Sequence, residues 1–313
     1  MPRKIIIDTD PGQDDAVAIL VALANPDMFD ILGITAVAGN VGLKLNAQNA
    51  LKVVELGGRP EIPVYAGCSD PIERVLVTAE HVHGQTGLDG PELAEPTIKL
   101  QEQHGVDFII ETLRAHDEAT VTLATLGPLT NIATALQKDP EAVKRCEQIV
   151  MMGGAYFQGG NITPSAEFNI YVDPQAADIV FRSGIPITVA SLDVTHKALS
   201  TKERIEAIRK VGTKSAIAVA EMLSFSERFD LEKYQWQGAP LHDPCVITYL
   251  MKPELFTGRM CNVQIEVQSE LTMGMTVADY WNITDRPKNA FFLDNVDADG
   301  FFELIIEALR KLP

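Results

Sequence analysis

The chain has 313 residues, of which 46% are hydrophobic and 22% charged, and this composition is typical of a packed globular protein rather than a disordered chain. Its 26 lysines and arginines against 43 aspartates and glutamates give a formal charge of −17. Such a charge repels phosphate backbones and anionic lipids. We therefore expect no nucleic-acid partner and no membrane partner.

The amino terminus predicts a buried strand and not a secretory leader. Its apolar run, residues 5–7, ends at Asp8, and three more carboxylates follow by Asp15. No uncharged apolar stretch approaches the roughly 18 to 20 residues that span a bilayer. The four cysteines lie far apart without CxxC or Cys/His pairing, so neither a zinc site nor a disulfide framework is expected. Reduced thiols in the cytoplasm are the simplest interpretation.

Short apolar segments rich in β-branched residues alternate with helical patterns over the first 190 residues. Strands are predicted at residues 4–7, 31–37, 62–66, 120–126, 148–152 and 185–190. Helices are predicted at residues 15–25, 43–56, 107–116, 129–137 and 174–182. This alternation predicts an α/β fold, a Rossmann-like open and mostly parallel sheet with helices on both faces.

The pattern changes after residue 200. It is helical to about residue 228, and a helix near 244–251, strands near 262–267 and 290–294, and a closing helix at 300–312 follow. No linker, repeat or low-complexity tract interrupts the chain. We expect a single domain over residues 1–313, with a helical excursion at about 201–239 near the active site.

Acidic and glycine-rich clusters follow the predicted strands. Ligands of open α/β sheets bind at the carboxyl ends of the strands, so these clusters should share one rim. The first cluster, DTDPGQDD at residues 8–15, packs four carboxylates into eight residues. Like charges so close are costly without a cation, and oxygen donors without His or Cys favour Ca²⁺ or Mg²⁺ over zinc.

Two other interpretations of this cluster stay open. The acidic residues could form a solvated turn that caps the following helix. A strand that ends in Asp-x-Asp is also typical of Mg²⁺-dependent, haloacid-dehalogenase-like phosphatases, in which the first aspartate is the nucleophile. That family expects a hydroxyl two residues after the second aspartate, and this chain has Gly12 there. The phosphatase is therefore the second hypothesis.

Seven segments, in order, resemble the inosine-uridine-preferring nucleoside hydrolases, and the resemblance covers essentially the whole chain. They are DTDPGQDDA (8–16), AGN (38–40), HGQTGLDG (83–90), GPLTN (127–131), MGG (152–154), AEFN (166–169) and HDP (242–244). The region 238–245 is most similar to the bacterial branch specific for pyrimidine ribonucleosides. The resemblance implies hydrolysis of the N-glycosidic bond of ribonucleosides, with a preference for uridine and cytidine, to free base and ribose in nucleoside salvage.

The resemblance also implies a Ca²⁺ cofactor. Its ligands would be Asp10, Asp15, Asp243 and the main-chain carbonyl of Leu126, an all-oxygen set that calcium tolerates. A calcium-bound water would lie beside Asp10, the implied general base. Asp243 could also cap the helix that begins at Pro244.

The implied substrate contacts come from several loops. The ribose would contact Asp14, Asn40, Met152, Asn161, Glu167 and Asn169, and Phe168 would contact ribose or base. His242, His83 and Tyr234 are candidates for protonating the leaving base, and a base that departs without full protonation is the alternative; His242 is the residue we assign as catalytic. Alternatives remain: Asn40 and Asn161 next to glycines are often turn residues, His83 could be an exposed loop residue, and Tyr234 could serve packing.

Further implications concern assembly and closure. Family resemblance suggests a homo-oligomer, a dimer or a homotetramer, and segments near residues 75–85 and 225–237 that close over the substrate. The third class of function considered is a nucleoside-binding protein without catalysis. Every position expected for metal and base is acidic here, which argues against that class.

Overall fold

A central eight-stranded sheet runs through the protein. The computed structural model describes residues 1–234 and 236–313, apart from the side chains of residues 230, 233 and 234. In chain order the strands are β1 (Arg3–Thr9), β2 (Phe29–Ala36), β3 (Val64–Ala66), β4 (Val121–Thr125), β5 (Gln148–Met152), β6 (Ile187–Ala190), β7 (Leu199–Thr201), β8 (Gly238–Pro240), β9 (Phe256–Cys261), β10 (Val263–Ile265), β11 (Thr276–Ala278) and β12 (Ala290–Val296).

The large sheet has the strand order β3-β2-β1-β4-β5-β6-β12-β9. Its neighbours pair in parallel except β9, which runs antiparallel to β12. The pairs β7–β8 and β10–β11 form two small antiparallel sheets. The predicted open, mostly parallel sheet is thus confirmed.

The helices connect these strands. They are α1 (Gln13–Leu23), α2 (Leu43–Leu56), α3 (Glu80–His83), α4 (Gly105–Ala115), α5 (Thr130–Lys138), α6 (Pro140–Val143), α7 (Phe168–Val172), α8 (Pro174–Phe181), α9 (Leu192–Thr195), α10 (Lys202–Arg209), α11 (Lys214–Tyr234), α12 (Pro244–Met251) and α13 (Ala298–Leu309). Among the residues that the structure describes, none of these helices is both long and apolar enough to cross a membrane.

Both faces of the sheet are covered. Successive strand residues point to opposite faces, so Ile5 and Ile7 of β1 join one core with α1, α2, α11, α12 and α13, while Ile6 joins the other with α4, α5 and α8. All three isoleucines are fully buried, and burial of each side chain stabilises the fold by about 1.5 to 3 kcal/mol. This is why the strands appear as continuous apolar runs in the sequence.

Helix α1 is apolar on every side. Its residues from Ala16 to Leu23 are almost completely buried, and the helix contacts α2, α11, α12 and α13. A helix that is hydrophobic all round belongs inside a protein rather than on its surface. The acidic residues at its first turn, Asp14 and Asp15, are therefore carried on a rigid, fully enclosed element.

The strand order changes direction between β1 and β4. The chain proceeds from β1 through β2 to β3 on one side, and from β4 through β5 to β6 on the other. Loops leaving β1 and β4 diverge, and a crevice opens at the carboxyl ends of these strands, where open α/β sheets bind ligands. Asp8 pairs with Thr125 at the end of the two strands, so the segments carrying Asp10 and Leu126 meet at this crevice.

The sequence located most elements of the sheet, with shifts of a few residues at their ends. Each predicted strand before residue 190 corresponds to one of β1–β6, and the helical excursion holds α10 and α11. Four short or peripheral strands were missed, β7, β8, β9 and β11, and α11 extends beyond the predicted end at 228 to Tyr234. The four cysteines are unpaired thiols, as expected.

Candidate active site

A cleft at the carboxyl end of the sheet collects residues that follow five neighbouring strands, β2, β1, β4, β5 and β6, together with residues of α3 and α11. It encloses about 960 Å³, which includes some open solvent at its mouth. The lining includes Asp10, Asp14, Asn40, His83, Leu126, Met152, Asn161, Glu167, Phe168, Asn169, His196, His242 and Asp243. The polar clusters after the strands therefore share one rim.

The carboxylate of Asp10 lies between two glycines. A Cβ atom at Gly39 would be 2.1 Å from Asp10 Oδ2, and one at Gly127 would be 2.3 Å from Oδ1. The backbone N–H of Asn40 donates to Oδ2 at 2.8 Å, and its side-chain Nδ2 donates to the Asp10 carbonyl at 2.9 Å. Burial, followed by repulsion from Asp15, raises the pKa of Asp10 well above its usual range. Asp10 is thus a fixed carboxylate with a high affinity for a proton.

Three further carboxylates crowd the same corner of the cleft. One oxygen each from Asp14, Asp15 and Asp243 lies within 4.8 Å of the others. Burial is the main reason that the pKa of Asp15 rises to about 6 and that of Asp243 rises well above its usual range, and repulsion from Asp14 adds to both shifts. In the described part of the chain, no lysine or arginine forms an ion pair with these groups. The negative charge is uncompensated by protein cations.

Asp15 and Asp243 differ in the hydrogen bonds that they make at the starts of their helices. Asp15 accepts hydrogen bonds from Thr9 Oγ1 at 2.5 Å and from the Gly12 N–H at 3.0 Å, so it also fixes the start of α1. Asp243 precedes Pro244 at the start of α12, yet its side chain makes no capping hydrogen bond. The capping alternative therefore does not account for the Asp243 carboxylate, whose side chain instead contacts that of Asp15.

The main-chain carbonyl of Leu126 also reaches this corner. Asn169 Nδ2 donates to it at 2.7 Å and to the Met152 carbonyl at 3.3 Å. A carbonyl oxygen has two lone pairs, so one hydrogen bond leaves Leu126 able to accept a second partner. Carboxylates plus one carbonyl make an oxygen-only donor set, which fits a hard divalent cation such as Ca²⁺ or Mg²⁺.

A second group of polar side chains surrounds the start of α7. Glu167 caps this helix and accepts from the N–H groups of Gly154 at 2.9 Å and Asn169 at 3.0 Å. Burial raises the pKa of Glu167 to about 7. Asn161 Oδ1 accepts from the Phe168 N–H at 2.9 Å, so Asn161 braces the helix start rather than serving only as a turn residue. These contacts hold Phe168 and Asn169 at the cleft.

Two histidines of the lining are each held at Nδ1. His83 Nδ1 lies 2.6 Å from Gln13 Oε1, and His242 Nδ1 lies 2.8 Å from Thr195 Oγ1. Burial lowers the pKa of both imidazoles, while the charge of Asp14 opposes that effect. His83 is half-buried and packs over Gly12, where a Cβ atom would be 2.5 Å from its Nδ1. The alternative of an exposed loop histidine is therefore wrong.

The structure gathers all but two of the residues predicted for the site into the lining of this cleft. Asp15 is fully buried behind it, and Tyr234 lies outside the residues whose side chains are described. The sequence reasoning missed three aromatic side chains that also line it, His81, His196 and Phe229. His196 could have been found, because it follows β6 just as the recognised clusters follow β1, β2, β4 and β5.

Comparison with known proteins links the whole chain to one family. Residues 5–303 match the family model of the inosine-uridine preferring nucleoside hydrolases. The chain is 51% identical over 310 residues to an uncharacterized protein of Schizosaccharomyces pombe, covering 99% of this chain and 100% of the relative. It is 48% identical over 312 residues to the pyrimidine-specific ribonucleoside hydrolase RihA of Photobacterium profundum, covering 99% of this chain and 100% of the relative.

Solved structures give the same result. The purine-preferring ribonucleoside hydrolase from Gardnerella vaginalis superposes with a TM-score of 0.91 at 34% identity, with 98% of each chain covered. A plant nucleoside hydrolase superposes with a TM-score of 0.89 at 32% identity, with 99% of each chain covered. The likeness therefore extends over essentially the whole chain.

Proposed function

The chain belongs to the inosine-uridine-preferring nucleoside hydrolase family and is a ribonucleoside hydrolase, and on this premise we propose that its substrates are pyrimidine ribonucleosides, uridine and cytidine. The products are the free base and ribose. The identity of 48% to pyrimidine-specific relatives over the full chain supports this preference. The family assignment gives no support to the phosphatase or to the non-catalytic binding protein.

The observation that carries the proposal is the position of Asp10. This carboxylate lies at the crevice between β1 and β4, it is held by the Asn40 N–H, and two glycines leave room for its oxygens. In the proposed mechanism Asp10 accepts a proton from the water that attacks the anomeric carbon. The bond from that carbon to the base nitrogen breaks as the water oxygen approaches, so the anomeric carbon never carries five full bonds, and the base leaves with the electron pair and takes up a proton.

The metal is proposed to be Ca²⁺, held by Asp10, Asp15, Asp243 and the carbonyl of Leu126, with Asp14 nearby. A bound calcium ion would offset the repulsion among these carboxylates and lower the pKa of a neighbouring water. The uncompensated charge of the four carboxylates supports this assignment, because such a cluster is stable only with protonation or a cation.

The ribose is proposed to bind against Asp14, Asn40, Asn161, Glu167 and Asn169, beside Met152. A positive charge develops on the ribose ring as the base leaves, and the carboxylates of this corner are placed to stabilise it. The carboxylate of Asp14 and the carboxamide oxygen of Asn169 accept no hydrogen bond within the described residues. Both are therefore suited to accept from ribose hydroxyls.

His242 is proposed to serve the leaving base. When the Thr195 hydroxyl donates to Nδ1, the ring proton resides on Nε2, and a neutral imidazole can donate that N–H to the base. His83 and Tyr234 are the other candidates for contact with the base, and Phe168 for contact with ribose or base.

We also propose that the whole chain acts as one domain and assembles into homodimers or homotetramers. Sedimentation velocity would measure the oligomeric state.

The test of the function is a substrate panel. Purified protein with Ca²⁺ should release base and free ribose from uridine and cytidine faster than from inosine and adenosine. It should release no inorganic phosphate from phosphomonoesters. Faster hydrolysis of inosine than of uridine would contradict the pyrimidine preference, and phosphate release without ribose release would contradict the hydrolase itself.

Calcium should stabilise the fold. A ligand at 100 times its dissociation constant contributes about 2.7 kcal/mol, which corresponds to a rise in Tm of roughly 5 °C in a chain of this size. We expect this rise when Ca²⁺ is added to EDTA-treated protein, and its loss in Asp243→Asn. Asp27→Asn, an exposed carboxylate in the turn after α1, is the matched control and should keep the rise. Stoichiometric zinc without calcium in elemental analysis would contradict the proposed ligand set.

The glycine beside Asp10 should be needed for activity. Gly127→Ala places a Cβ atom 2.3 Å from Asp10 Oδ1, so the carboxylate must move. A displacement of about 1 Å at a reacting group costs about 10²-fold in rate, and we expect that loss in kcat on uridine. Gly42→Ala is the matched control, because its Cβ atom meets nothing within 4 Å. Equal activities of the two variants would show that the position of Asp10 does not limit catalysis.

A further inference from the structure

Helix α9 and the residue after it make the contacts that hold the part of the cleft around His242. The Asp193 carboxylate in α9 accepts from the N–H groups of Tyr156 at 2.8 Å, Phe157 at 2.7 Å and Gln158 at 3.0 Å. Two residues later, the Thr195 hydroxyl lies 2.8 Å from His242 Nδ1. The next residue, His196, lines the cleft itself. The α9 segment thus fixes His242, His196 and the loop that carries Gln158.

His196 has defined neighbours. Its Nδ1 lies 3.4 Å from Gln158 Oε1, and its ring meets Trp236 in an edge-to-face contact with centroids 4.8 Å apart. The ring centroid of His242 is 5.9 Å away. Burial, with a smaller contribution from His242, lowers the pKa of His196 to about 3, so the imidazole is neutral at neutral pH. None of these contacts involves the acidic corner, the part of the cleft where Asp10, Asp14, Asp15 and Asp243 come together.

The contact with Gln158 selects one tautomer of the ring. When the Gln158 carboxamide oxygen accepts at this contact, the proton of the neutral imidazole resides on Nδ1. The other nitrogen, Nε2, then carries a lone pair and can only accept a hydrogen bond. His242 is the opposite case, because a hydroxyl at Nδ1 can donate and leave the proton on Nε2. Two neighbouring imidazoles can therefore present one acceptor and one donor.

We propose that His196, oriented by Gln158, is a base-recognition residue that accepts a hydrogen bond from an N–H group of the nucleobase, such as the N3–H of uracil. This inference rests on the proposed function, since the base must lie beyond the ribose that the acidic corner binds. The other cleft residues away from that corner are largely apolar, among them Ile162, Leu223 and Phe229. An acceptor among such side chains distinguishes bases strongly, because an unpaired polar group there is costly.

The test uses three ribosides on three proteins. Uridine has the N3–H donor, N3-methyluridine lacks it, and p-nitrophenyl β-D-riboside has the sugar but no base edge. Wild-type protein should prefer uridine over N3-methyluridine by at least about tenfold in kcat/KM. His196→Phe should lower kcat/KM for uridine about tenfold, mainly through KM, and leave the other two substrates within about twofold. Gln158→Ala, at an exposed position, should lower the ratio of kcat/KM for uridine to kcat/KM for N3-methyluridine, but by a smaller factor than His196→Phe does.

Each result decides between the alternatives. An unchanged ratio of uridine to N3-methyluridine in His196→Phe would overturn the proposal, as would equal losses on all three substrates, which indicate a structural role. If His196→Phe proves unstable, the Gln158→Ala ratio is decisive, because a value equal to wild type contradicts the selected tautomer. Failure of wild-type protein on every riboside would instead overturn the proposed function, and the two failures are thereby distinguishable.

Discussion

Replacing Asp10 with alanine should reduce kcat on uridine by about 10³-fold or more. Loss of a positioned general base costs about 10²- to 10⁴-fold, and loss of a proposed metal ligand adds to this. The structure supports a large effect, because burial and repulsion from Asp15 raise the pKa of Asp10 and, among the described residues, no other carboxylate is enclosed between two glycines in the same way. Steady-state kinetics on calcium-loaded protein measures the effect.

The fold of this variant should survive. Removing the carboxylate relieves repulsion in the acidic corner, so unfolding of the EDTA-treated variant should occur at a Tm equal to or above that of wild type. Asp10→Asn keeps the shape of the side chain, and we expect it to be nearly as inactive as Asp10→Ala, since an amide cannot accept the proton. A kcat close to wild type in Asp10→Asn would show that another group is the base.

The sheet could be predicted because the burial of its strands leaves a recognisable pattern of apolar residues in the sequence. Strands buried on both faces, such as β1 and β5, are continuous apolar runs bounded by polar loops. Strand β9 was missed because it is an edge strand with only its two end residues buried. Its Gly258 lies against β12, where a Cβ atom would be 2.5 Å from the Phe292 carbonyl oxygen, and such a close approach has no signature in sequence.

The candidate site also has features that the sequence could predict and features that it could not. Composition and position after a strand suggested a cation site at residues 8–15, and the resemblance supplied the remaining residues. The sequence could not separate the adjacent Asp14 and Asp15, because their difference is three-dimensional. Asp15 is fully buried and bonded to Thr9 and Gly12, while Asp14 lines the cleft. The contacts of His196 were likewise hidden, since Gln158 is 38 residues away in the chain.

The ribose hydroxyls should dominate substrate selection. Asp14 and Asn169 present acceptor oxygens with no hydrogen bond from the described residues, and both line the cleft beside the acidic corner. If they engage the 2′- and 3′-hydroxyls, removal of the 2′-hydroxyl leaves a charged acceptor unfilled. Hydrogen bonds to charged groups contribute roughly 1.5 to 3 kcal/mol, and a site built around a hydroxyl can reject its deoxy analogue by up to about 10⁴- to 10⁵-fold.

We therefore expect kcat/KM for 2′-deoxyuridine to be at least about a hundredfold below that for uridine, a smaller factor than the maximum because water can refill the gap. The preference for uridine over inosine should be smaller, since base contacts rest on fewer polar groups. Steady-state kinetics of both nucleosides on one calcium-loaded preparation gives the ratio.

An Asp14→Ala variant tests whether the ratio of kcat/KM for uridine to that for 2′-deoxyuridine depends on the Asp14 carboxylate. If Asp14 is the acceptor for the 2′-hydroxyl, Asp14→Ala should lose activity on uridine more than on 2′-deoxyuridine, and the two efficiencies should converge, because the deoxy substrate lacks that hydroxyl. Asp27→Asn, an exposed carboxylate in the turn after α1, should leave the ratio unchanged. Equal efficiencies of uridine and 2′-deoxyuridine on wild-type protein would mean that the acidic corner does not bind the ribose diol. The roles proposed for Asp14 and Asn169 would then have to be withdrawn, since a buried acceptor that gains nothing from its hydroxyl partner is not a ribose contact.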